Sequence, residues 1–208
     1  IVLPKVESAA DLHAIDWMIA NLERERGLAA GAIDLMPIIE TAAGISRIDR
    51  ILQARSLKPY SGTWRVRRAA FGAADYSDDL GLLPSHEEAE LSHARERLVL
   101  ASRAAGAEGP VDSPWFHLKD ADGLRRAIER SRRMGFQGRL CIHPDQVPVA
   151  NAGYAPTPEE IARAERIVAA FREAEAKGAA AIQVDGQMID YPIVHQAERL
   201  LRAMKGQD

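Results

Sequence analysis

Lys5, Glu7, Glu40, Asp75, Asp112 and His143 interrupt the short apolar runs of this sequence at their C-terminal ends. In parallel α/β folds such positions converge on one rim, where sites form. Glu40 and Asp75 close successive runs, which sets them side by side. Two carboxylates facing one cleft repel unless a proton or cation lies between them, and an oxygen-only donor set suits a hard ion such as Mg²⁺. A purely structural reading stays open, with Glu40 capping the next helix and Asp75 making a turn hydrogen bond. The small residues Gly72, Ala73 and Ala74 before Asp75 favour a site, because they let backbone N–H groups approach an anion. His143 either lines the cleft or is a buried, hydrogen-bonded histidine. Lys5 either meets substrate or offsets the acids, the second role being preferred.

The elements that must position these residues follow from apolar periodicity. Residues 1–6 are short and β-branched, a buried strand, whereas 11–26 place Leu12, Ile15, Ile19 and Leu22 on one helical stripe that Gly27 ends. The same alternation gives strands at 33–39, 69–72, 110–111 and 139–142. Helices are expected from Gly44 towards Gln53, then at 85–105 and 120–134. Apolar runs without polar alternation mark strands covered on both faces, so the class is α/β with a parallel sheet. Five βα units are visible. A closed eight-stranded barrel takes about 250 residues, and three more units at about 30 residues each would bring the chain to that size and beyond. Residues 1–150 are therefore read as barrel. Asn151, Gly153, Pro156 and Pro158 form a linker to a helical extension over 151–208, with Thr157 as helix cap.

Composition narrows the function. The 208 residues carry 27 basic and 30 acidic side chains, a net charge of −3 with both signs interspersed. A nucleic-acid binder would concentrate a basic face; Arg65, Arg67 and Arg68 are the one candidate cluster and read as a solvated strand entrance. No run approaches the roughly 18 apolar residues of a membrane span, and the expectation is a cytoplasmic protein without membrane or nucleic-acid partners. The lone Cys141 leaves no internal disulfide. His86, Glu90 and His93 lie at helical spacing in a charge-rich stretch and read as a solvated face. No glycine-rich phosphate fingerprint follows a strand.

Five stretches together resemble the citrate lyase beta subunit group of the HpcH/HpaI aldolase superfamily. They are Val2-Leu-Pro-Lys-Val-Glu-Ser8, Met36-Pro-Ile-Ile-Glu-Thr41, Phe71-Gly-Ala-Ala-Asp75 with Asp79-Leu-Gly81, Gly138-Arg-Leu-Cys-Ile-His-Pro144 with Gln146, and Met188-Ile-Asp-Tyr-Pro192. The resemblance implies a (β/α)8 TIM barrel of which this chain carries about the last five βα units, and a Mg²⁺ ion held by Glu40 and Asp75. It implies a substrate site at Glu40 and the Gly72, Ala73, Ala74, Asp75 stretch. It also implies cleavage of a 3-hydroxyacyl-CoA such as malyl-, citramalyl- or citryl-CoA to an acyl-CoA and a 2-keto acid. The segment at 188–192 resembles the lid of the acyl-CoA lyases, whose matching aspartate, Asp190 here, serves a neighbouring subunit's site as the catalytic acid or base. A homo-oligomer, trimer or hexamer, follows from that sharing. The family's first three strands, with an acidic motif and a carboxylate-gripping arginine, have no counterpart here. Ala74 stands where most citrate lyase-like members carry glutamate, as in class II pyruvate aldolases, so a free 4-hydroxy-2-keto acid remains an alternative substrate, and a non-catalytic binding subunit an alternative role.

Overall fold

The computed structural model describes residues 1–54, 58, 60–62 and 64–204. They form two compact units, Ile1–Tyr154 and Ala155 onward. In the first unit five parallel strands, β1 (Val2–Leu3), β2 (Met36–Ile39), β3 (Ala70–Phe71), β4 (Val111–Asp112) and β5 (Gly138–Arg139), lie in the order of the sequence. Registers such as Val2↔Met36, Ile39↔Phe71 and Val111↔Gly138 keep the strand ends level. Parallel neighbours require a crossover each time, and these are supplied by α1 (Ala9–Glu25), by α2 (Ala42–Ser46) with α3 (Ile48–Ala54), by α4 (Ala73–Leu80) with α5 (Ser92–Ala104), and by α6 (Ala121–Met134). Strands in consecutive order, each followed by helix, make the α/β sector of a barrel wall. The helix α7 (Gln146–Tyr154) follows β5.

Burial explains the crossovers. Ile39 and Phe71 from the strands meet Ile48, Ile51, Leu52, Leu91 and Leu98 from the helices, all at most 1% exposed. Removing one such aliphatic chain costs about 2–5 kcal/mol. A second cluster joins Trp115, Leu124, Ala127, Ile128 and Ala150.

Several expected boundaries move. The first strand is not buried: Ile1 is 59% and Val2 50% exposed, because among the described residues β1 pairs on one side only. The helix expected after Gly44 is two helices that break at Arg47. The helix expected from Ser85 begins at Ser92, after a 3-10 turn at Ala89–Leu91, and His86 lies outside it, its ring stacked on His117 and hydrogen-bonded to Asp120. Asn151 and Gly153 are not in a linker. They lie in α7, where a β-carbon on Gly153 would come within 2.6 Å of Ile128, so that glycine permits close packing on α6.

In the second unit α8 (Pro158–Glu175) starts at a capping box, Thr157 with Glu160, and packs through Ile167, Val168 and Phe171 on Ile189, Val194 and Ala197. The extension is not all helical: residues 182–189 form an antiparallel hairpin, β6 (Ile182–Val184) with β7 (Gln187–Ile189). Its turn, Asp185-Gly186, holds positive φ at both residues, the geometry favoured for a two-residue hairpin. The last helix is α9 (Tyr191–Met204).

Arg65 corrects the reading of its cluster as solvated. It is 3% exposed, with Nε 2.6 Å from Asp16 Oδ1 and both terminal nitrogens 2.7 Å from Glu23 oxygens, so it ties α1 to the segment entering β3. Arg67 and Arg68 pair near the surface with Asp34 and Glu108. The Arg65 hydrogen bonds, with amides of Ile33 and Gly31, overcome burial and hold the Glu23 carboxyl at about 2 against an ordinary 4.5. A carboxyl depressed in the folded state stabilises fully above its unfolded value and ceases to do so as pH falls through its folded one. Stability in urea is therefore expected to decline between about pH 4.5 and 2, with Glu23→Gln flattening that decline. Arg65→Ala should cost about 3–5 kcal/mol at neutral pH, because it strands two buried carboxylates.

Candidate active site

At the C-terminal end of β1 the chain turns sharply at Lys5, which holds a left-handed φ of 51°. Such a conformation is disfavoured for a side chain with a β-carbon, and here two interactions fix it. The Lys5 amide donates to Glu40 Oε1 at 2.8 Å, and its ammonium pairs with Asp75. One residue thus bridges the two acids. Each acid of the expected pair meets a different nitrogen of this lysine.

Glu40 directly follows β2 and is 5% exposed. It does not cap the next helix; Thr41 does, accepting from the Gly44 amide at 3.0 Å. Its carboxylate lies instead over Gly72, where a β-carbon would come within 2.2 Å of Oε2 and 2.5 Å of the Glu40 Cβ. Only glycine fits beneath this acid.

Asp75 does not end a strand. It sits in the first turn of α4, a helix absent from the sequence-based expectation, where the N-terminal end of the helix dipole favours a negative charge. The Gly81 C-cap, at φ 65°, was the available signal for that helix. Asp79 of the same helix accepts from the Ala42 amide at 2.7 Å and so ties α4 to the start of α2. Two amides of the expected anion cradle are engaged: Gly72 donates to the Ile39 carbonyl at 3.2 Å and Ala73 to Ser113 Oγ at 2.9 Å. The amides of Ala74 and Asp75, by their place in the first turn, have no acceptor within the helix.

Electrostatics follow from this crowding. Burial pushes the Glu40 carboxyl above its ordinary range and the Asp75 charge adds to the shift, while the Lys5 amide and charge oppose it. Lys5 is raised in turn, first by its hydrogen bond to Asp75 and then by the charges of Asp75, Glu40 and Asp78. Two carboxylates and one ammonium leave a net negative charge that a further cation would relieve. Their hard oxygen donors, Glu40 over Gly72 and Asp75 at the start of α4, fit Mg²⁺, whose other positions water and substrate would fill.

The remaining candidates have other surroundings. Asp112, grouped by sequence with the rim acids, is fully buried between Arg95 Nε at 2.9 Å and Arg139 Nη2 at 2.5 Å, and Arg95 continues to Glu88 at 2.6 Å. His143 is not buried: its side chain is 46% exposed, and its Nδ1 accepts from the Asp145 amide at 3.2 Å. Asp190 stands in the second unit between β7 and α9, its carbonyl accepting from the amides of Ile193 and Val194 at 3.1 Å. Sequence reasoning gave no role to Ser113, Arg95 or Arg139, although Arg139 lies within one of the five family-like stretches, because their partners are distant in the chain.

The model of the HpcH/HpaI aldolase/citrate lyase family matches residues 1–144. The chain belongs to this family. It is 35% identical, over 97% of its length, to the citrate lyase subunit beta of Leuconostoc mesenteroides subsp. cremoris, of which it covers 64%. It is 32% identical to the L-malyl-CoA/beta-methylmalyl-CoA lyase of Rhodobacter capsulatus, with 97% of this chain and 66% of that one covered. Among solved structures it resembles the protein CitE of Mycobacterium tuberculosis in complex with magnesium, acetoacetate and coenzyme A. That match has a TM-score of 0.70 and 29% identity, and it covers 97% of this chain and 66% of that one. The chain thus spans slightly less than two thirds of the length of these relatives.

Gly72→Ala tests the floor of the site. Its backbone, at φ −112°, accepts alanine without strain, so the cost comes from the clash with Glu40 alone. An overpacking loss of about 1–3 kcal/mol is expected in urea unfolding.

Proposed function

We propose that the protein is a Mg²⁺-dependent carbon-carbon lyase acting on a 3-hydroxyacyl-CoA such as malyl-, citramalyl- or citryl-CoA. The observation that carries this reading is that Lys5, just past β1, meets Glu40, directly after β2, through its amide and Asp75, in the first turn of α4, through its ammonium. It is supported by relatives described as citrate lyase beta, citramalyl-CoA and malyl-CoA lyases, and by a related structure described with magnesium and coenzyme A.

Glu40 and Asp75 would hold the ion, and Lys5 would keep the local charge in balance. A bound Mg²⁺ supplies Lewis acidity to the carboxylate and neighbouring oxygen of the substrate as the bond beside them breaks. The amides of Ala74 and Asp75 can receive the substrate carboxylate at the start of α4. In the cleavage direction the 3-hydroxyl gives up its proton, the bond between its carbon and the thioester α-carbon breaks, and a 2-keto acid and an acyl-CoA enolate result. The enolate carbon then takes a proton, and in the reverse direction the thioester methyl gives one up. Asp190, reaching in from a neighbouring subunit of a trimer or hexamer, suits that exchange. A cytoplasmic location accords with this metabolism.

A second reading, a class II aldolase splitting a free 4-hydroxy-2-keto acid, is favoured by the small Ala74 before the metal aspartate. The assays separate the two. Thioester cleavage should vanish with EDTA, return with Mg²⁺ and fall at least about 100-fold in Asp75→Asn, more than a supporting residue commonly contributes. Pyruvate release without CoA would favour the aldolase. Thioester cleavage undiminished by complete metal removal would reject both.

A further inference from the structure

Ser113 directly follows β4, is fully buried, and is fixed at every backbone and side-chain contact recorded for it. Its amide donates to Asp112 Oδ1 at 2.8 Å, and its carbonyl accepts from Arg139 Nη1 at 2.7 Å. Its hydroxyl oxygen accepts from the Ala73 amide at 2.9 Å. Asp112 is clamped by Arg95 and Arg139, so the serine stands on an ionic frame that joins β4, β5 and α5. The N-cap of α4 is Gly72, which has no side chain to offer, and the first amide of the helix takes its acceptor from this neighbouring strand instead. The same short stretch therefore carries three features: Gly72 under Glu40, Ala73 on Ser113, and Asp75 two residues on, in the same first turn.

We infer that Ser113 is a positioning residue, whose hydroxyl pins the first turn of α4 and so sets how far the Asp75 carboxylate stands from Glu40. This rests on the metal reading of those two acids. Rigid spacing has a chemical meaning. Mg²⁺ demands near-octahedral oxygens at about 2.0–2.1 Å, whereas Ca²⁺ accepts longer and less regular contacts at about 2.3–2.6 Å. A loosened first turn should penalise Mg²⁺ far more than Ca²⁺, whereas a serine that serves folding alone would leave the preference between the two ions untouched.

The test is an electron paramagnetic resonance titration of the full chain with Mn²⁺, using Mg²⁺ and Ca²⁺ as competitors. Wild type is compared with Ser113→Ala and with Thr157→Ala, which removes a helix cap in the other unit. Ser113→Ala should lower the ratio of Mg²⁺ to Ca²⁺ affinity by about 10-fold, the lower end for groups that orient metal ligands, and Thr157→Ala should leave it unchanged. If the alanine variant does not fold, Ser113→Cys replaces it, since a thiol is a weak acceptor of similar size. A wild-type ratio in the Ser113 variant would overturn the inference while leaving the metal site standing. A folded wild type that binds none of the three ions would overturn the metal reading, and this inference with it.

Discussion

Two like charges, Glu40 directly after β2 and Asp75 in the first turn of α4, meet a single lysine, and the rest of the first unit is arranged to tolerate them. At an effective dielectric of about 20, unit charges 4 Å apart interact by about 4 kcal/mol, which is comparable with the loss of a buried aliphatic side chain. Lys5 answers this repulsion with both of its nitrogens, the amide towards Glu40 and the ammonium towards Asp75. Neither contact forms unless β1, β2 and β3 lie in consecutive parallel order with level ends. Sheet register is thus the structural variable on which the chemistry rests.

The interior beside this site is held by charge as much as by apolar packing. Arg95 and Arg139 enclose Asp112, and Arg65 gathers Asp16 and Glu23, each at a position closed to water. Such pairs contribute little net stability over an apolar substitute but cost several kcal/mol if one member is lost. Their directionality is what a hydrophobic contact lacks. Asp112 and Ser113 hold the first amide of α4, while Arg65 anchors the approach to β3 from the opposite side.

What could be read from sequence follows from the range of the forces involved. Apolar runs located all five parallel strands, four of them long by two to four residues, because hydrophobicity marks burial while pairing decides where a strand stops. Helix ends with local chemistry, such as Gly27 after α1 and Thr157 before α8, were legible because a cap acts within a few residues. The helix α4 was missed since Ala73, Tyr76 and Leu80 make only a two-turn apolar stripe among three aspartates, and what holds its first amide is a serine forty residues away. The hairpin was missed although Asp185-Gly186 announces it. Glu40 and Asp75 were singled out by type and position, whereas the surroundings of Asp112 depended on two arginines distant in the chain.

Lys5 holds its left-handed backbone at a cost that glycine would not bear, of order 1–3 kcal/mol. Selection for thermal robustness alone would therefore push this position towards glycine, and selection for a balanced pair of acids pushes it back. The residue records a compromise between durability and chemistry at one peptide unit. Laboratory evolution aimed only at heat resistance would tend to erase the local ammonium before it disturbed the barrel wall.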